Sequence, residues 1–170
     1  VQQHDDLEEL FLRSTAIRAD LHTTGLQKMR FAGIGAIRGD RETKIHMIAD
    51  ALSNPLILRL HGLAERADSA PAVELINAVK DPGAVIADKG YDADALVEDI
   101  KRIGAEPIIP PRRNRNAPRT WDKDRYRARH LVENLFARLK QFRRLATRYD
   151  KLAPHFAAFV IIASLFVWLV

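Results

Sequence analysis

The sequence predicts a mixed α/β fold, in which helices cover the faces of one sheet. Short apolar, β-like runs alternate with helical segments along the 170-residue chain, and turn signals separate them. The composition is that of a globular protein, with 47% hydrophobic and 29% charged residues. A chain of this length can bury a core of its own, so we expect one domain spanning residues 1–170.

Strands dominate the first part of the chain. Residues 10–19 alternate weakly between apolar and polar side chains and predict a first strand. Residues 43–49 alternate more clearly, and residues 55–60 follow the turn signal Ser53-Asn54. These two runs therefore predict a β-hairpin.

Helices alternate with short strands in the second part of the chain. The predicted elements, in order, are a helix at residues 69–79, a buried strand at 84–87, an amphipathic helix at 92–103, a strand at 107–109, a basic loop at 112–120 and one long helix at about residues 122–145. Pro71 suits the first turn of the first helix, and Gly104 ends the second.

The C-terminal run at residues 156–170 carries no charged residue. A membrane span needs about 20 residues, so this fifteen-residue run predicts a packed terminal helix in which Trp168 belongs to the core. The first residues are polar and acidic, unlike a secretory signal, and the absence of cysteine excludes disulfides and thiolate metal sites. We therefore expect a cytoplasmic protein without a membrane partner.

Positive charge is concentrated in one segment, which we call the basic block (residues 112–148). It holds 13 Lys and Arg against 3 Asp and Glu, a balance of +10, whereas the remainder has 14 basic and 19 acidic residues, a balance of −5. A basic segment on a weakly acidic body predicts a polyanion partner. The alternative is a solvated basic surface.

Four polar residues of the basic block follow the spacing Y-x2-R-x3-E-x6-K. They are Tyr126, Arg129, Glu133 and Lys140, and steps of three, four and seven residues return to nearly the same side of an α-helix. The other side of the helix is apolar and suited to packing on a core. A carboxylate between basic and phenolic groups fits metal-assisted chemistry on a nucleic-acid backbone. The alternative is a solvated face with an i,i+4 ion pair between Arg129 and Glu133.

A second acid stands at the end of a predicted buried strand. Asp88 follows residues 85–87 directly, and α/β folds bind ligands beyond the carboxyl ends of their strands. Carboxylates that converge on Mg²⁺ can support phosphodiester cleavage, because the ion prefers oxygen ligands and stabilises the attacking and leaving oxygens. Asp88 and Glu133 are therefore the catalytic and metal-binding candidates. The alternative for Asp88 is a residue that only opens the turn before Gly90.

With these residues, the chain resembles the DDE transposases of bacterial insertion sequences, in particular the group of insertion sequence number five. The similarity covers nearly the whole chain and includes the segments GDRETKIHMIADALSNPL, VIADKGYDADAL, EPIIPPRRNRN and RHLVENLFARLKQFRRLATRYDKLAPHF. The resemblance implies an RNase H-like fold whose Asp-Asp-Glu triad binds two Mg²⁺ and supports DNA cleavage and strand transfer at insertion-sequence ends. Asp88 then corresponds to the second acid and Glu133 to the third. The residues implied to bind the transposon DNA are Tyr126, Arg129 and Lys140.

The first acid of that triad is missing. In the family the opening strand ends in Asp followed by Ser or Gly and Thr, whereas this chain has Arg13-Ser14-Thr15. A guanidinium cannot ligate a cation, so we expect Arg13 to pair with Asp88 or Glu133 and to displace the metals. Asp20, where the family usually has His, is no simple substitute, because an odd step of seven residues along a strand points to the opposite face.

The length before the first strand is a second departure from the family. Only about ten residues precede it here, where family members carry a helical segment, so we expect an N-terminally truncated catalytic domain. A homo-oligomer and an N-terminal partner chain from a split gene stay open beside DNA as partners. The chain is either a transposase catalytic domain or a non-catalytic DNA-binding remnant or regulator, with a stand-alone RNase H-like nuclease as a third alternative.

Three aromatic side chains have alternative interpretations. Trp121 either stacks on a splayed base or caps the core. His46 and His61 lie in or next to the predicted hairpin strands, and we interpret them as structural histidines rather than as metal ligands.

Overall fold

A mixed sheet of seven strands forms the centre of the computed structural model, which describes residues 8–20, 35–37, 40–62 and 69–169. The strands are β1 (Glu9–Ala19), β2 (Gly35–Ile37), β3 (Asp40–Ala49), β4 (Pro55–Gly62), β5 (Ala84–Ala87), β6 (Glu106–Ile108) and β7 (Thr147–Arg148). The predicted first strand, hairpin and two later strands are confirmed. The sequence does not predict β2 and β7, because elements of two or three residues are too short to show an alternating pattern.

Antiparallel and parallel pairs meet at β1. On one side β3 runs antiparallel to β1, with Met47 opposite Arg13, and β4 folds back on β3 as the predicted hairpin. β5 runs parallel to β1 and β6 parallel to β5, which gives the order β2-β3-β1-β5-β6; β4 pairs with β3, and β7 with β1. A parallel pair needs a crossover connection, and helices supply it before and after β5.

Helices cover both faces of the sheet. Those in the described ranges are α1 (Ser69–Asn77), α2 (Asp94–Arg102), α3 (Lys123–Arg127), α4 (His130–Lys140), α5 (Arg143–Ala146) and α6 (Ala153–Leu169), with a short 3₁₀ helix at Lys89–Tyr91. Successive residues of β1 point to opposite faces: Leu10 and Leu12 pack with α1 and α2, whereas Phe11 and Ile17 pack with α4 and α6. The predicted sheet flanked by helices is confirmed.

The single long helix predicted at residues 122–145 is wrong. The chain forms α3, α4 and α5 there, separated by two turns. At the first turn the N–H of Arg129 donates to the carbonyl of Tyr126 (3.1 Å). This hydrogen bond reaches back three residues rather than the four of an α-helix, so the backbone is wound more tightly there. At the second turn Phe142 is extended (φ −74°, ψ 113°), and its ring packs edge-on against two aromatic rings of α6. Packing against the terminal helix thus overrides the local helical pattern.

The uncharged C-terminal run forms α6, as predicted, but only one side of this helix is covered. Phe156, Val160 and Ala163 are buried in the core, while large apolar side chains on the other side are exposed. Trp168 is 55% exposed, so its predicted place in the core is wrong. The run is apolar all round, and it therefore lacks the periodicity that would identify the covered side. Within the described ranges, no helix combines the length and the hydropathy that a bilayer span needs.

Both hairpin histidines are buried between the sheet and its helices. Their rings stack, with centroids 4.6 Å apart, and His46 Nδ1 lies 3.0 Å from the hydroxyl of Tyr91. This packing supports the interpretation of His46 and His61 as structural residues.

Candidate nucleic-acid interface

Arg13 and Asp88 meet where two neighbouring strands run side by side. Leu12 of β1 lies opposite Ala87 of β5, so the next residues along the two parallel strands, Arg13 and Asp88, are neighbours. By the alternation of the strands, both side chains belong to the face that α4 covers. Arg13, at the position where the family is expected to have its first acid, therefore lies beside Asp88, the expected second acid.

Glu133 reaches the same place from the helix above. It lies in the first turn of α4 and is ion-paired with Arg13. Arg129, one turn earlier, donates to the same carboxylate oxygen at 2.8 Å, so the i,i+4 pair of the alternative interpretation is present as well. Burial raises the pKa of Glu133, but the two guanidinium groups lower it by more, and it lies below its usual value. The ion pair expected for Arg13 thus forms, with Glu133 as the partner.

Asp88 sits in a tight turn that fixes its carboxylate. Its Oδ1 accepts a hydrogen bond from the N–H of Gly90 (2.7 Å) and caps the 3₁₀ helix. A Cβ at Gly90 would lie only 2.7 Å from that oxygen, so any other residue there would push the carboxylate away. Asp88 therefore opens the turn, as its alternative interpretation holds, and the turn determines where the acid lies.

Tyr126 lies within the electrostatic field of both acids. The guanidinium of Arg129 stacks on its half-buried ring, 5.5 Å from the centroid. Burial raises the pKa of the phenol, Arg129 lowers it, and Asp88 and Glu133 both raise it, so that it lies above its usual value. Arg13 pairs with Glu133 and stands beside Asp88 in the sheet, and Asp88 shares a cleft with Tyr126, so these residues belong to the same side of the domain.

An open cleft of about 820 Å³ lies beside this group. Its wall includes Asp88, the rings of Trp121 and Tyr126, and four cationic side chains, those of Lys89, Arg112, Arg113 and Arg129. Cationic side chains that can bind phosphates, together with aromatic rings that can stack on bases, are features of nucleic-acid binding sites. Trp121 also packs against the core, so both of its interpretations remain compatible with its position.

Lys140 lies apart from this cleft. It is exposed and follows Glu133 by two turns of α4, about 10 Å along the helix axis. Among the described residues its ammonium has no carboxylate partner. The structure thus groups Asp88, Tyr126, Arg129 and Glu133 and leaves Lys140 further along the same helix.

The side chains around Arg13 do not fit a pair of divalent ions. Two guanidinium groups are ion-paired with the carboxylate of Glu133, and one carboxylate oxygen of Asp88 accepts a hydrogen bond from a main-chain N–H. In the part of the chain that the structure describes, no three His, Cys, Asp or Glu residues are grouped so as to hold a metal ion. Asp20 lies beyond the end of β1 next to β7, about 23 Å along the strand from Arg13.

Much of the basic block is neutralised within the chain. Among the described residues, six of its 13 cationic residues have an acidic ion-pair partner, namely Arg115, Arg119, Arg125, Arg127, Arg129 and Arg144. Arg148 is fully buried: its guanidinium donates to Thr43 Oγ1 (2.6 Å) and to the carbonyl of Asp150 (2.8 Å), and burial lowers its pKa. Within the described residues, six cations of the block have no acidic partner: Arg112, Arg113, Lys123, Arg138, Lys140 and Arg143.

Asp92 organises the basic loop, and the sequence gives little sign of this. Its buried carboxylate accepts hydrogen bonds from the N–H of Arg112 (2.7 Å), from Arg119 (2.5 Å) and from Arg115 (2.9 Å). Burial raises the pKa of Asp92, but these donors lower it by more. An acid near a predicted helix start is ordinarily explained by the helix dipole, so arginine partners 20 to 27 residues away are not evident from the pattern.

A model of the family described as Transposase DDE domain matches residues 14–168 of the chain, beginning one residue after Arg13. The chain belongs to the DDE transposases. Two curated relatives place this transposase among those of bacterial insertion sequences. One, named for element IS6501 of Brucella ovis, is 35% identical over 128 residues, which cover 75% of this chain and 98% of the relative. The other, named for element IS402 of Burkholderia cepacia, is 30% identical over 129 residues, 69% of this chain and 58% of the relative.

A solved structure confirms the fold of this transposase. The chain matches the piggyBac transposase, solved by cryo-EM as a synaptic complex with hairpin DNA, with a TM-score of 0.58 at 11% identity. The match covers 92% of this chain and 45% of the piggyBac chain. At this identity the likeness shows the fold alone, and the predicted RNase H-like sheet with flanking helices is confirmed.

Proposed function

We propose that this transposase binds insertion-sequence DNA in the cleft beside Asp88 and does not cleave it. The contact between Arg13 and Glu133 carries the proposal. A fixed positive charge stands where the family is expected to have a metal-binding acid, and Mg²⁺ needs several oxygen ligands to offset its dehydration. In this proposal Asp88 and Glu133 are the second and third acids of a triad that lacks its first.

Three observations support DNA as the ligand of the cleft. Four cationic side chains and two aromatic rings line it, and six cations of the basic block have no acidic partner among the described residues. The piggyBac transposase was solved with hairpin DNA. In the proposed complex Arg129 and Tyr126 contact the strand in the cleft, and Lys140 binds a phosphate further along α4.

The second candidate function is an active, Mg²⁺-dependent transposase domain. The family match over residues 14–168 favours it, because the resemblance to the DDE transposases implies DNA cleavage and strand transfer with two Mg²⁺. It requires Arg13 to leave Glu133 and another acid to complete the metal site.

DNA affinity is expected to fall with salt with a log–log slope of about −5. Each phosphate neutralised contributes about 0.9 to the slope, and six cations of the basic block lack an acidic partner within the described ranges. If all 13 cations of the block bound phosphates, the slope would be about −12. Fluorescence anisotropy of a labelled duplex at several salt concentrations measures the slope.

Two alanine variants control this experiment. Lys140→Ala should reduce the slope by about one, because it removes one phosphate contact. Arg127→Ala, which removes an exposed arginine that is ion-paired with Asp124, should change the slope less. Affinity that stays constant between low and physiological salt would count against DNA binding by the basic block.

A further inference from the structure

A cluster of two acids and two arginines joins the basic loop to the start of α2. Asp92 lies at its centre, with a side chain that is only 1% exposed, whereas the side chain of Asp94 is 71% exposed. Arg115 bridges both carboxylates, and Arg119 does the same at 2.5 Å from Asp92 and 3.3 Å from Asp94. The two arginines are therefore ion-paired within the chain and are not free cations of the cleft.

Arg112 fastens the beginning of the same loop to the turn that carries Asp88. Its main-chain N–H donates to Asp92 Oδ2 at 2.7 Å. Its guanidinium donates to the carbonyl of Gly90 at 2.8 Å and to that of Lys89 at 3.3 Å. Asp92 and this turn thus hold the loop segment that lines the cleft with Arg112, Arg113 and Asn114.

We propose that Asp92 is a positioning residue for DNA binding: it holds loop 112–119 as a preformed wall of the cleft. This inference rests on the proposed binding of DNA there. A loop that is already ordered loses less conformational freedom when it binds, so its cations bind phosphates more tightly. A buried carboxylate with three donors is suited to this task, because its geometry is fixed by hydrogen bonds as well as by charge.

The sign of the effect distinguishes positioning from simple electrostatics. Asp92 is negative, so replacing it by Asn makes the protein more positive, and long-range attraction alone would tighten DNA binding. If Asp92 positions the loop, the same replacement weakens binding, because Arg115 and Arg119 keep only the exposed carboxylate of Asp94 as a shared partner and the wall must be ordered by the DNA.

The test compares Asp92→Asn with Asp94→Asn, which makes the same charge change beside the same two arginines at an exposed position. Anisotropy with a labelled duplex of random sequence measures affinity. We expect Asp92→Asn to bind about tenfold more weakly, the scale expected when two or three long side chains must be ordered on binding. Asp94→Asn should bind as well as the unmodified chain or better. Equal or tighter binding by Asp92→Asn overturns the inference.

Two further measurements keep the outcome decisive. Arg119→Lys conserves charge at a partly exposed position and replaces Asp92→Asn as the test if that variant does not fold. Several-fold weaker DNA binding by Arg119→Lys supports the inference, and unchanged DNA binding overturns it. Hydrogen exchange of the loop amides is independent of DNA, and the inference expects faster exchange in Asp92→Asn than in Asp94→Asn. If the unmodified chain binds no DNA, the proposed function fails, and the exchange rates alone decide whether Asp92 holds the loop.

Discussion

The Arg13→Asp variant is expected to bind Mg²⁺, whereas the unmodified chain is expected to bind none in the millimolar range or below. In the unmodified chain two acids, Asp88 and Glu133, stand against the guanidinium groups of Arg13 and Arg129, so the local charge sums to zero. The variant has three acids and one guanidinium, a sum of −2. Mg²⁺ binds where carboxylate oxygens offset its dehydration, so the variant provides what the unmodified site lacks. Isothermal titration with Mg²⁺ and Mn²⁺ measures the difference.

Arg13→Ala is the matched control for this prediction. It frees Glu133 from the guanidinium without adding a ligand, so its metal affinity should stay well below that of Arg13→Asp. Adding Glu133→Gln to Arg13→Asp should remove the gained binding, since one of the three acids is lost. If Arg13→Ala and Arg13→Asp bound metal equally well, position 13 would not be the place of the missing acid.

Arg148→Ala is expected to destabilise the fold by about 3–5 kcal/mol, the largest stability effect that we expect from any arginine of the basic block. Arg148 is fully buried in β7, lies over the ring of Phe156 at 5.2 Å, and bonds to Thr43 and to main-chain carbonyls. The alanine leaves a cavity and removes donors from buried acceptors. Urea unfolding followed by circular dichroism measures the loss in the free energy of unfolding.

Arg127→Ala provides the comparison on an exposed arginine of the same block. The side chains of Arg127 and of its partner Asp124 are 82% and 86% exposed, and surface ion pairs contribute at most about 1 kcal/mol. Equal losses for the two variants would contradict a structural role for Arg148. A larger loss for Arg148→Ala would also explain any DNA-binding defect of that variant through unfolding rather than through a lost phosphate contact.

Local patterns account for what could be predicted from the sequence. Strand alternation places the side chains of β1, and the same alternation together with the parallel register brings Arg13 beside Asp88. Helical spacing puts Arg129 and Glu133 on one side of a helix, where they pair. The two candidate partners of Arg13 follow from the resemblance to the DDE transposases, which puts Arg13 in the place of the first acid of the triad, together with Asp88 and Glu133.

Long-range packing accounts for what could not be predicted. The helix at residues 122–145 is interrupted because Phe142 packs on a helix that begins eleven residues later, and no local pattern encodes that contact. The exposed side of α6 is as apolar as its buried side, so hydrophobicity cannot separate them. Ion pairing within the basic block depends on acids such as Glu9 and Asp92, which precede it in the chain by more than 19 residues.

The number of Lys and Arg residues in a basic segment is therefore larger than the number of phosphates that the segment can bind. Arg125 illustrates this, since its guanidinium is shared between Glu9 and Glu106, both at 2.7 Å. The carboxylate of Glu9 raises the pKa of Arg125, while burial lowers it, and the net shift is upward. A residue held in this way joins α3 to the edge of the sheet and contributes little free charge to a DNA surface.

A plasmid-nicking assay of the unmodified chain with Mg²⁺, together with a gel-shift assay on the same DNA, tests whether the chain binds DNA without cleaving it. We predict that the chain shifts the DNA but nicks it no faster than its Glu133→Gln variant, because Arg13 occupies the place of the first metal-binding acid. Mg²⁺-dependent nicking that Glu133→Gln abolishes would show that the unmodified chain is an active nuclease, since another acid must then complete the site while Arg13 moves away.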